Sequence, residues 1–386
     1  MLDSETSAGL RWTALVRGAR EWQDPDSAAR GRARVALQDG EWPRQTVERA
    51  LGNVLLDFET ALAAFREDPP AVRRASTALA ILPGNIIGPA IACAYCAALA
   101  GTNLILKSSH HERRLSDILV EQFDRLGPPL RGLLSAVYWQ GGDESIETMI
   151  LRGIDRAVVF GQDATVASIR SRVPPDVAVA AYGESFSIAV IAARADLAEA
   201  AEAVSWDVAL FDQRGCMSPQ TIYVEGGVDK AVLFAQALSF SLRRRQDDLP
   251  RAQPDAAEKI ALAETIRRLQ VNALPAATHA LGTMLVGPGI EGVPGFVVSV
   301  APCAPPVCAG FGRIVVVMPC ESIEAAADAA RALGSKLETI GAAGIPPDEF
   351  VLLARAGARR ICDAGAMQAP PFGYRPAIAD FQTEQA

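Results

Sequence analysis

The run ASTALAILPGNIIGPAIACAYCAALAGTNLIL, residues 75–106, holds no charged residue and ends against Lys107. It is longer than the roughly 20 apolar residues that cross a bilayer. Three turn signals divide it, at Pro83-Gly84-Asn85, Gly88-Pro89 and Gly101-Thr102-Asn103. A membrane span needs an unbroken apolar helix, because no water in the bilayer core can satisfy a broken backbone. The run therefore reads as a strand at 78–82, a turn, a buried helix from Gly88 to Leu99, a second turn, and a strand at Leu104–Leu106. No membrane span is expected.

The same alternation continues outward from this unit. Before it, the first 75 residues look helical. Val47 to Phe65 carries apolar side chains at helical spacing (Val47, Leu51, Leu55, Phe58, Leu62, Phe65) and is closed by Pro69-Pro70. After it, strands are predicted at 136–139, 157–160, 177–181, 188–191 and 221–224. Three more are predicted at 283–286 (Thr283–Val286), 296–300 and 313–318. Helices are predicted near 116–126, 145–151, 164–172, 197–210, 230–243, 255–270 and 322–333. Strands alternating with helices imply a mostly parallel, doubly wound α/β sheet. The tail, with Pro370-Pro371 and Pro376, is expected to pack as irregular chain.

Composition narrows the class. The chain has 386 residues, half of them hydrophobic, which is enough for about two domains. Net charge is −8 and only four lysines occur, so a nucleic-acid footprint is absent. Arg243-Arg244-Arg245 is followed at once by Asp247-Asp248 and reads as a solvated helix end. Met1 to Leu10 is polar and acidic, without a signal-peptide core. Seven cysteines show no framework spacing, which suits reduced thiols in a cytoplasmic protein.

Among those cysteines, Cys216 stands apart. Asp212-Gln213-Arg214-Gly215-Cys216-Met217-Ser218-Pro219-Gln220 is a turn between an apolar helix and a strand. A thiol on such a turn can be presented to a cleft, and a thiolate is a strong nucleophile. The alternative is a buried structural thiol. Cys93 and Cys96 have C-x-x-C spacing but lie in an apolar helix, with no second Cys/His pair to complete a metal site, so both read as core. Cys303 and Cys308 sit in a Pro-rich loop and read the same way. His110, His111 and His279 offer no partner for a Cys–His dyad, and no metal site is expected. Gly287-Pro288-Gly289-Ile290-Glu291-Gly292 spells G-x-G-x-x-G, yet it precedes a strand rather than a helix and reads as a loop. Asn85 could cap a helix, or could direct a side-chain N–H at a developing oxyanion. Lys107 ends an apolar strand and is either a solvated strand end or a phosphate or ribose contact.

Together these pieces resemble the aldehyde dehydrogenase superfamily. Pro83-Gly84-Asn85 resembles its Pro-Trp-Asn turn, Gly101 to Lys107 its Gly-Asn-x-x-x-x-Lys strand, and Phe160-Gly161 its Phe-Thr-Gly-Ser turn. Asp196-Leu197 resembles the Asp-Leu ahead of the nucleophile helix. The cysteine motif is most similar to that of the long-chain acyl-CoA reductases, the LuxC-type family. So are Tyr182-Gly183, Gly312-Arg313-Ile314-Val315, Leu337-Glu338-Thr339-Ile340-Gly341, Gly357-Ala358-Arg359-Arg360-Ile361 and Pro370-Pro371.

The resemblance implies two doubly wound α/β domains with an active-site cleft between them. The expected boundaries are 1–181 for cofactor binding with N-terminal helices, 182–350 for the catalytic cysteine, and a segment 351–386. It implies Cys216 and Asn85 as catalytic residues, and Lys107, Ser109, Phe160, Gly161 and Gly183 around the cofactor. It departs from the hydrolytic enzymes in one respect. Their Glu-Leu-Gly-Gly base is missing, since Val177 to Ala181 carries no carboxylate and Glu184 lies past the glycine. The Glu-x-Phe-Gly ribose clamp reads Ala309-Gly310-Phe311-Gly312 here. A thiol without a water-activating base suits exchange of acyl groups between thiols. The implied activity is reduction of an acyl thioester, on CoA or on an acyl carrier protein, to an aldehyde. NADPH is the expected cofactor, because His110 stands where NAD-preferring relatives often carry Glu, and Ser108, Ser109, Arg113 and Arg114 bring no negative charge. A homo-oligomer is expected. Two rival readings are an oxidative aldehyde or semialdehyde dehydrogenase, and an acyl transferase or acyl-accepting protein without redox activity.

Overall fold

The computed structural model describes residues 2–38, 42–67, 73–74, 77–110, 112–273, 284–290, 292–308 and 310–383. Met1, Pro69, Pro70, Ala75, His111, His279, Thr283, Glu291 and Ala309 lie outside the described residues. The chain forms two compact units, Met1–Glu184 with Pro370–Ala386, and Ser185–Ala369.

The first unit opens with four helices, α1 (Leu2–Gln23), α2 (Ala28–Gln38), α3 (Arg44–Asn53) and α4 (Phe58–Glu67). The single helix expected over 47–65 is thus two. Leu55 between them has φ 60, which no right-handed helix contains. Gly52-Asn53, both poor helix formers, stand at the break. Leu55 and Phe58 are nevertheless buried, so the apolar spacing runs through the break and conceals it.

Next come β1 (Arg73–Arg74), β2 (Thr77–Ile81), α5 (Pro89–Ala100), β3 (Asn103–Lys107), α6 (Arg114–Leu126) and β4 (Leu134–Val137). They are followed by α7 (Glu144–Leu151), β5 (Arg156–Phe160), α8 (Asp163–Arg170) and β6 (Ala178–Tyr182). The uncharged run is therefore β2–α5–β3, as its turn signals required. Gly88 (φ 126) is the N-cap of α5, Pro89 occupies the first turn, and Gly101 (φ 71) closes the helix in the left-handed conformation. Asn85 is not the cap. Nearly every α5 side chain is buried, which explains a helix apolar on all sides. No described helix is long and apolar enough to cross a membrane.

The five strands β2 to β6 lie in the order β4-β3-β2-β5-β6, all parallel. The chain moves outward from β2 through β3 to β4, then returns to the other side for β5 and β6. The order therefore reverses beside β2, and a crevice opens at the carboxyl ends of the strands at such a switch point.

The second unit contains β7 (Phe186–Ile191), α9 (Leu197–Ala209), β8 (Pro219–Glu225), α10 (Gly227–Asp248), α11 (Ala256–Ala273) and β9 (Met284–Val286). It continues with β10 (Val297–Val300), β11 (Ile314–Cys320), α12 (Ile323–Ala330), β12 (Leu337–Ala343), α13 (Phe350–Ala354) and β13 (Arg360–Asp363). Its sheet runs β13-β12-β7-β8-β11-β10-β9, parallel except for β9 against β10. Successive strand residues feed two separate cores. Ile188, Val190, Tyr223, Val316 and Met318 face one; Ala189, Ile191, Ile222, Val224, Val315 and Val317 face the other. A strand buried on both faces has no polar side, so these segments read as continuous apolar runs. Each buried Val or Ile contributes about 1.5–3 kcal/mol.

Three expectations are corrected. The boundary falls after Glu184 rather than Ala181, and 351–386 is not one segment. Its first part adds β13 to the edge of the second sheet. Its last part, with β14 (Gln382–Thr383), returns to the first unit, where β14 pairs with β1, and Thr102 Oγ1 donates to Phe381 O at 2.9 Å. Arg245 is not on a solvated helix end. It is buried, pairs with Glu202 and Asp248, and lies 3.6 Å over the Trp206 ring.

Candidate active site

Cys216 sits at the head of β8 in a turn built from unusual backbone. Phe211, Asp212 and Gln213 have φ 57, 50 and 66, three consecutive non-glycine residues in the left-handed region. Such geometry persists only where the surroundings over-determine it. Here two buried polar side chains do so. Gln213 Nε2 donates to Pro219 O and Ile314 O, both at 2.8 Å, and its Oε1 accepts from Ile314 N at 2.7 Å. Asp212 accepts from Arg313 Nε at 2.8 Å and from Ala252 N at 2.9 Å, and its carbonyl accepts from Gly312 N at 2.8 Å. Arg313 is itself left-handed (φ 57), 1 % exposed, and donates to Leu249 O. The Asp-Gln-Arg-Gly-Cys and Gly-Arg-Ile-Val motifs are therefore one buried clamp.

The turn is also held from below. Ser218 N donates to Gly215 O at 3.1 Å, and Ser218 Oγ donates to Asp207 O at 2.5 Å. Ser187 Oγ on β7 donates to Cys216 O at 2.7 Å and accepts from Thr339 N at 3.1 Å. Arg214 pairs with Glu258 at 2.8 Å. Cys216 is half-buried, whereas Asp212, Gln213 and Ser218 are buried. The backbone is thus fixed while the thiol stays reachable. Asp207, on α9, accepts from Gly365 N at 2.5 Å and Met367 N at 3.0 Å. Burial pushes its carboxyl up to about 7 despite these two donors.

The described residues between β10 and β11, 301–308 and 310–313, form no helix and are hooked to β8. Tyr223 OH donates to Ala304 O at 2.6 Å, Thr221 Oγ1 accepts from Val307 N at 2.9 Å, and Gln220 Oε1 accepts from Gly310 N at 3.0 Å. Cys303 is exposed and Cys308 half-buried in this loop, so neither is a core thiol; burial raises both. Cys93 and Cys96 are fully buried in α5 as expected, and burial pushes both thiols well up. Residues 287–290 open no helix, which agrees with the loop reading.

In the first unit every anticipated residue follows the carboxyl end of a strand. Asn85 lies in the turn after β2 and is exposed, Lys107 is the last residue of β3 with Ser109 two residues beyond, Phe160 is the last of β5 with Gly161 next, and Gly183 follows β6. Lys107 stands opposite both Ile81 and Val137 in register. Lys107 and Ser109 line different pockets. Lys107 lines an open pocket of ≈ 290 Å³ with His110, Tyr138, Trp139, Gln140 and Gly141. Ser109 lines a different, much smaller pocket of ≈ 20 Å³, among Pro83, Gly84 and Glu112, and its hydroxyl accepts from Glu112 N at 3.1 Å. Phe160 stacks on Tyr182 at 4.7 Å, and Tyr182 OH donates to Asp380. At Gly183 a Cβ would meet Asp163 Oδ1 at 2.5 Å. That carboxylate already accepts from Glu184 N at 2.9 Å, so the glycine is needed for close packing. Glu184 is exposed, and β6 carries no carboxylate.

The half-buried Lys107 ammonium lies 5.4 Å from the Trp139 ring and 6.0 Å from the Tyr138 ring, and among the described residues it makes no ion pair. Burial lowers its pKa, and Glu147 opposes that. Glu147 accepts from Trp139 Nε1 at 3.0 Å and pairs with Arg172 at 2.7 Å. Two aromatic rings beside an ammonium can hold a flat heterocycle and a ribose or phosphate oxygen.

A family profile described as acyl-CoA reductase (LuxC) matches residues 44–374. The chain belongs to the LuxC family of acyl-CoA reductases. Its similarity to curated relatives is narrower. It is 30% identical over 184 residues to a long-chain acyl-protein thioester reductase of Photorhabdus luminescens, covering 47% of this chain and 38% of that protein. Over 188 residues it is 27% identical to the Aliivibrio fischeri protein of the same description, 48% of this chain and 39% of that one. The chain thus spans well under half the length of these relatives. Among solved structures, a NAD-dependent benzaldehyde dehydrogenase from Corynebacterium glutamicum superposes with a TM-score of 0.73 at 17% identity, over 98% of this chain and 84% of that one. A putative methylmalonate-semialdehyde dehydrogenase from Sinorhizobium meliloti, complexed with NAD, gives 0.72 at 15%, over 95% and 80%. The fold is that of the aldehyde dehydrogenases, as the motifs implied.

In this LuxC-family chain the residues that sequence reasoning missed are the supports. Asp207, Ser187, Tyr138 and Trp139 carry no motif that marks them, and nothing local in the sequence joins Asp212 and Gln213 to Arg313. Glu112 was overlooked in the segment after Lys107. Its carboxylate accepts from Leu115 N at 2.7 Å as a helix cap, and burial raises it. Polar residues flanking an apolar strand were the available signal.

Proposed function

We propose that this protein reduces an acyl thioester to an aldehyde, with Cys216 as the acyl acceptor and NADPH as the reductant. The observation that carries the reading is the clamped turn, which immobilises the backbone on both sides of a half-buried thiol. Such a turn suits a nucleophile and has no evident use for a packing cysteine. Membership of the acyl-CoA reductase family agrees with it.

The Cys216 thiolate attacks the thioester carbonyl, and the carrier thiol leaves with the electron pair of the broken C–S bond. Asn85 is assigned as a donor to the oxyanion formed in that step. NADPH, when bound, supplies the hydride that converts the Cys216 thioester to the aldehyde oxidation level. Cys216 then departs from the carbon as a thiolate, and the aldehyde is released. The rings of Tyr138 and Trp139 and the Lys107 ammonium would hold the adenosine end of the cofactor. Gly161 and Gly183, just past β5 and β6, are assigned to the cofactor-side loops, where a Cβ would press on Thr165 and on Asp163 Oδ1. The absence of a carboxylate on β6 supports thiol exchange over hydrolysis, since no side chain there activates water. The substrate class is an acyl group on CoA or on an acyl carrier protein.

The test is a panel of acyl-CoA and carrier-bound acyl thioesters with NADPH, followed by cofactor loss and aldehyde formation. Aldehyde produced in step with NADPH consumption supports the reading. NADP⁺-dependent acid formation from aldehydes, with no reduction of any thioester, contradicts it.

A further inference from the structure

Resting on that reading of the cofactor pocket, we propose that Arg113, mounted on the face of Tyr138 and linked to His110, reads the 2′-phosphate of the cofactor's adenosine ribose. The Arg113 guanidinium carbon lies 3.5 Å over the Tyr138 ring centroid, closer than the other described cation–ring pairs around this pocket. Its Nη2 is 3.3 Å from His110 Nδ1, and that nitrogen is 3.1 Å from Tyr138 OH. Arg113 is thus braced against two residues that line the ≈ 290 Å³ pocket, His110 and Tyr138, and the described lining, which also includes Lys107, holds no carboxylate.

Charge placement gives the direction of selectivity. A site that reads an unmodified ribose offers an acidic acceptor to the 2′-hydroxyl, whereas one that reads a 2′-phosphate offers arginine. Two carboxylates beside these residues are already committed, and Asp143, two residues past Gly141, caps α7 through Ile146 N at 3.3 Å. Glu112 caps α6 through Leu115 N, and Glu147 is held by Trp139 Nε1 and Arg172. The described residues that line the pocket are cationic or neutral. An arginine held against an aromatic ring loses little rotamer freedom on binding, and its planar fork of N–H groups suits a phosphate. Lys107, deeper and half-buried, supplies charge for either nucleotide. Arg113 is therefore assigned the discrimination and Lys107 the shared contact.

The experiment uses the full chain and two mononucleotide probes, 2′,5′-ADP and 5′-AMP, titrated calorimetrically without thioester or turnover. The parent protein should bind 2′,5′-ADP at least tenfold more tightly than 5′-AMP. Arg113→Gln should weaken 2′,5′-ADP by about 10- to 100-fold, the loss of one charge-assisted contact, and leave 5′-AMP within about twofold. Tyr138→Leu should lower the preference for 2′,5′-ADP, while Tyr138→Phe, which keeps the ring under Arg113, should retain most of it. Equal affinity of the parent protein for the two probes would overturn the inference and leave the nicotinamide reading intact. Binding of neither probe would remove both. An Arg113→Gln variant that weakens the two probes alike, or neither, would also overturn it.

Discussion

Replacing Arg313 by Met removes a buried charge while keeping most of the side-chain volume. In the parent protein Arg313 contacts Asp212 Oδ1 through Nη2 at 2.7 Å and through Nε at 2.8 Å, with the two side chains 1% and 5% exposed. Its Nη2 also donates to Leu249 O at 2.8 Å. The substitution leaves the Asp212 carboxylate buried with only Ala252 N on its other oxygen. Removing one partner of a buried pair costs about 3–5 kcal/mol, because the remaining charge keeps its desolvation penalty. In a unit of this size, 1 kcal/mol corresponds to about 2–4 °C, so melting should fall by about 10 °C. Arg313→Met combined with Asp212→Asn should recover much of that loss. Asn tolerates the left-handed backbone and no longer buries a charge. Thermal denaturation of the parent, both single variants and the double variant gives the coupling energy, which should reach about 2 kcal/mol or more. Alkylation of Cys216 by iodoacetamide, read in the same samples below melting, should change with Arg313→Met and return toward the parent rate in the double variant. If Arg313→Met melts within about 2 °C of the parent, or if the single effects add, the clamp does not hold the turn.

Two further predictions follow from the same geometry. On the oxyanion role proposed for the exposed Asn85, Asn85→Ala should lower single-turnover aldehyde formation by about 10²–10³ with little change in thermal stability, because such a donor acts in the transition state rather than in packing. Asp207 has its folded-state carboxyl raised from 3.8 to about 7 by burial. Unfolded chains therefore release this proton first, so the contribution is fully present below about 4 and is lost as pH rises toward 7. Urea melts of the parent between pH 4 and 8 should show that decline, and Asp207→Asn should flatten it. An Asp207→Asn curve with the parent's slope would assign the pH dependence elsewhere.

The sequence was most informative where backbone chemistry leaves few options. Gly88-Pro89 and Gly101 had to break residues 75–106, and they bound α5 within one residue of the expected ends. The strand ends that carry Lys107, Phe160 and Gly183 followed from the alternation of elements. What could not be read was long-range polar contact. Asp212 and Arg313 are 101 residues apart, and nothing local says that they meet. Gln213 looks like an ordinary surface residue until Pro219 and Ile314 close around it. Arg245 misled for the same reason, since Glu202 and Trp206 lie on a different helix. The Val47–Phe65 break was hidden because both halves still bury their apolar face. The motifs at 337–341 and 357–361 carry β12 and the start of β13, and Glu338 pairs at 3.2 Å with Arg359, one residue before β13.

The central claim concerns one covalent bond. The protein is mixed with an acyl thioester in the absence of NADPH, and its intact mass is followed by peptide mapping. The account predicts a single acyl adduct on Cys216, discharged as aldehyde when NADPH is added and absent from Cys216→Ala. An adduct retained by Cys216→Ala, or aldehyde formed by that variant, would contradict it.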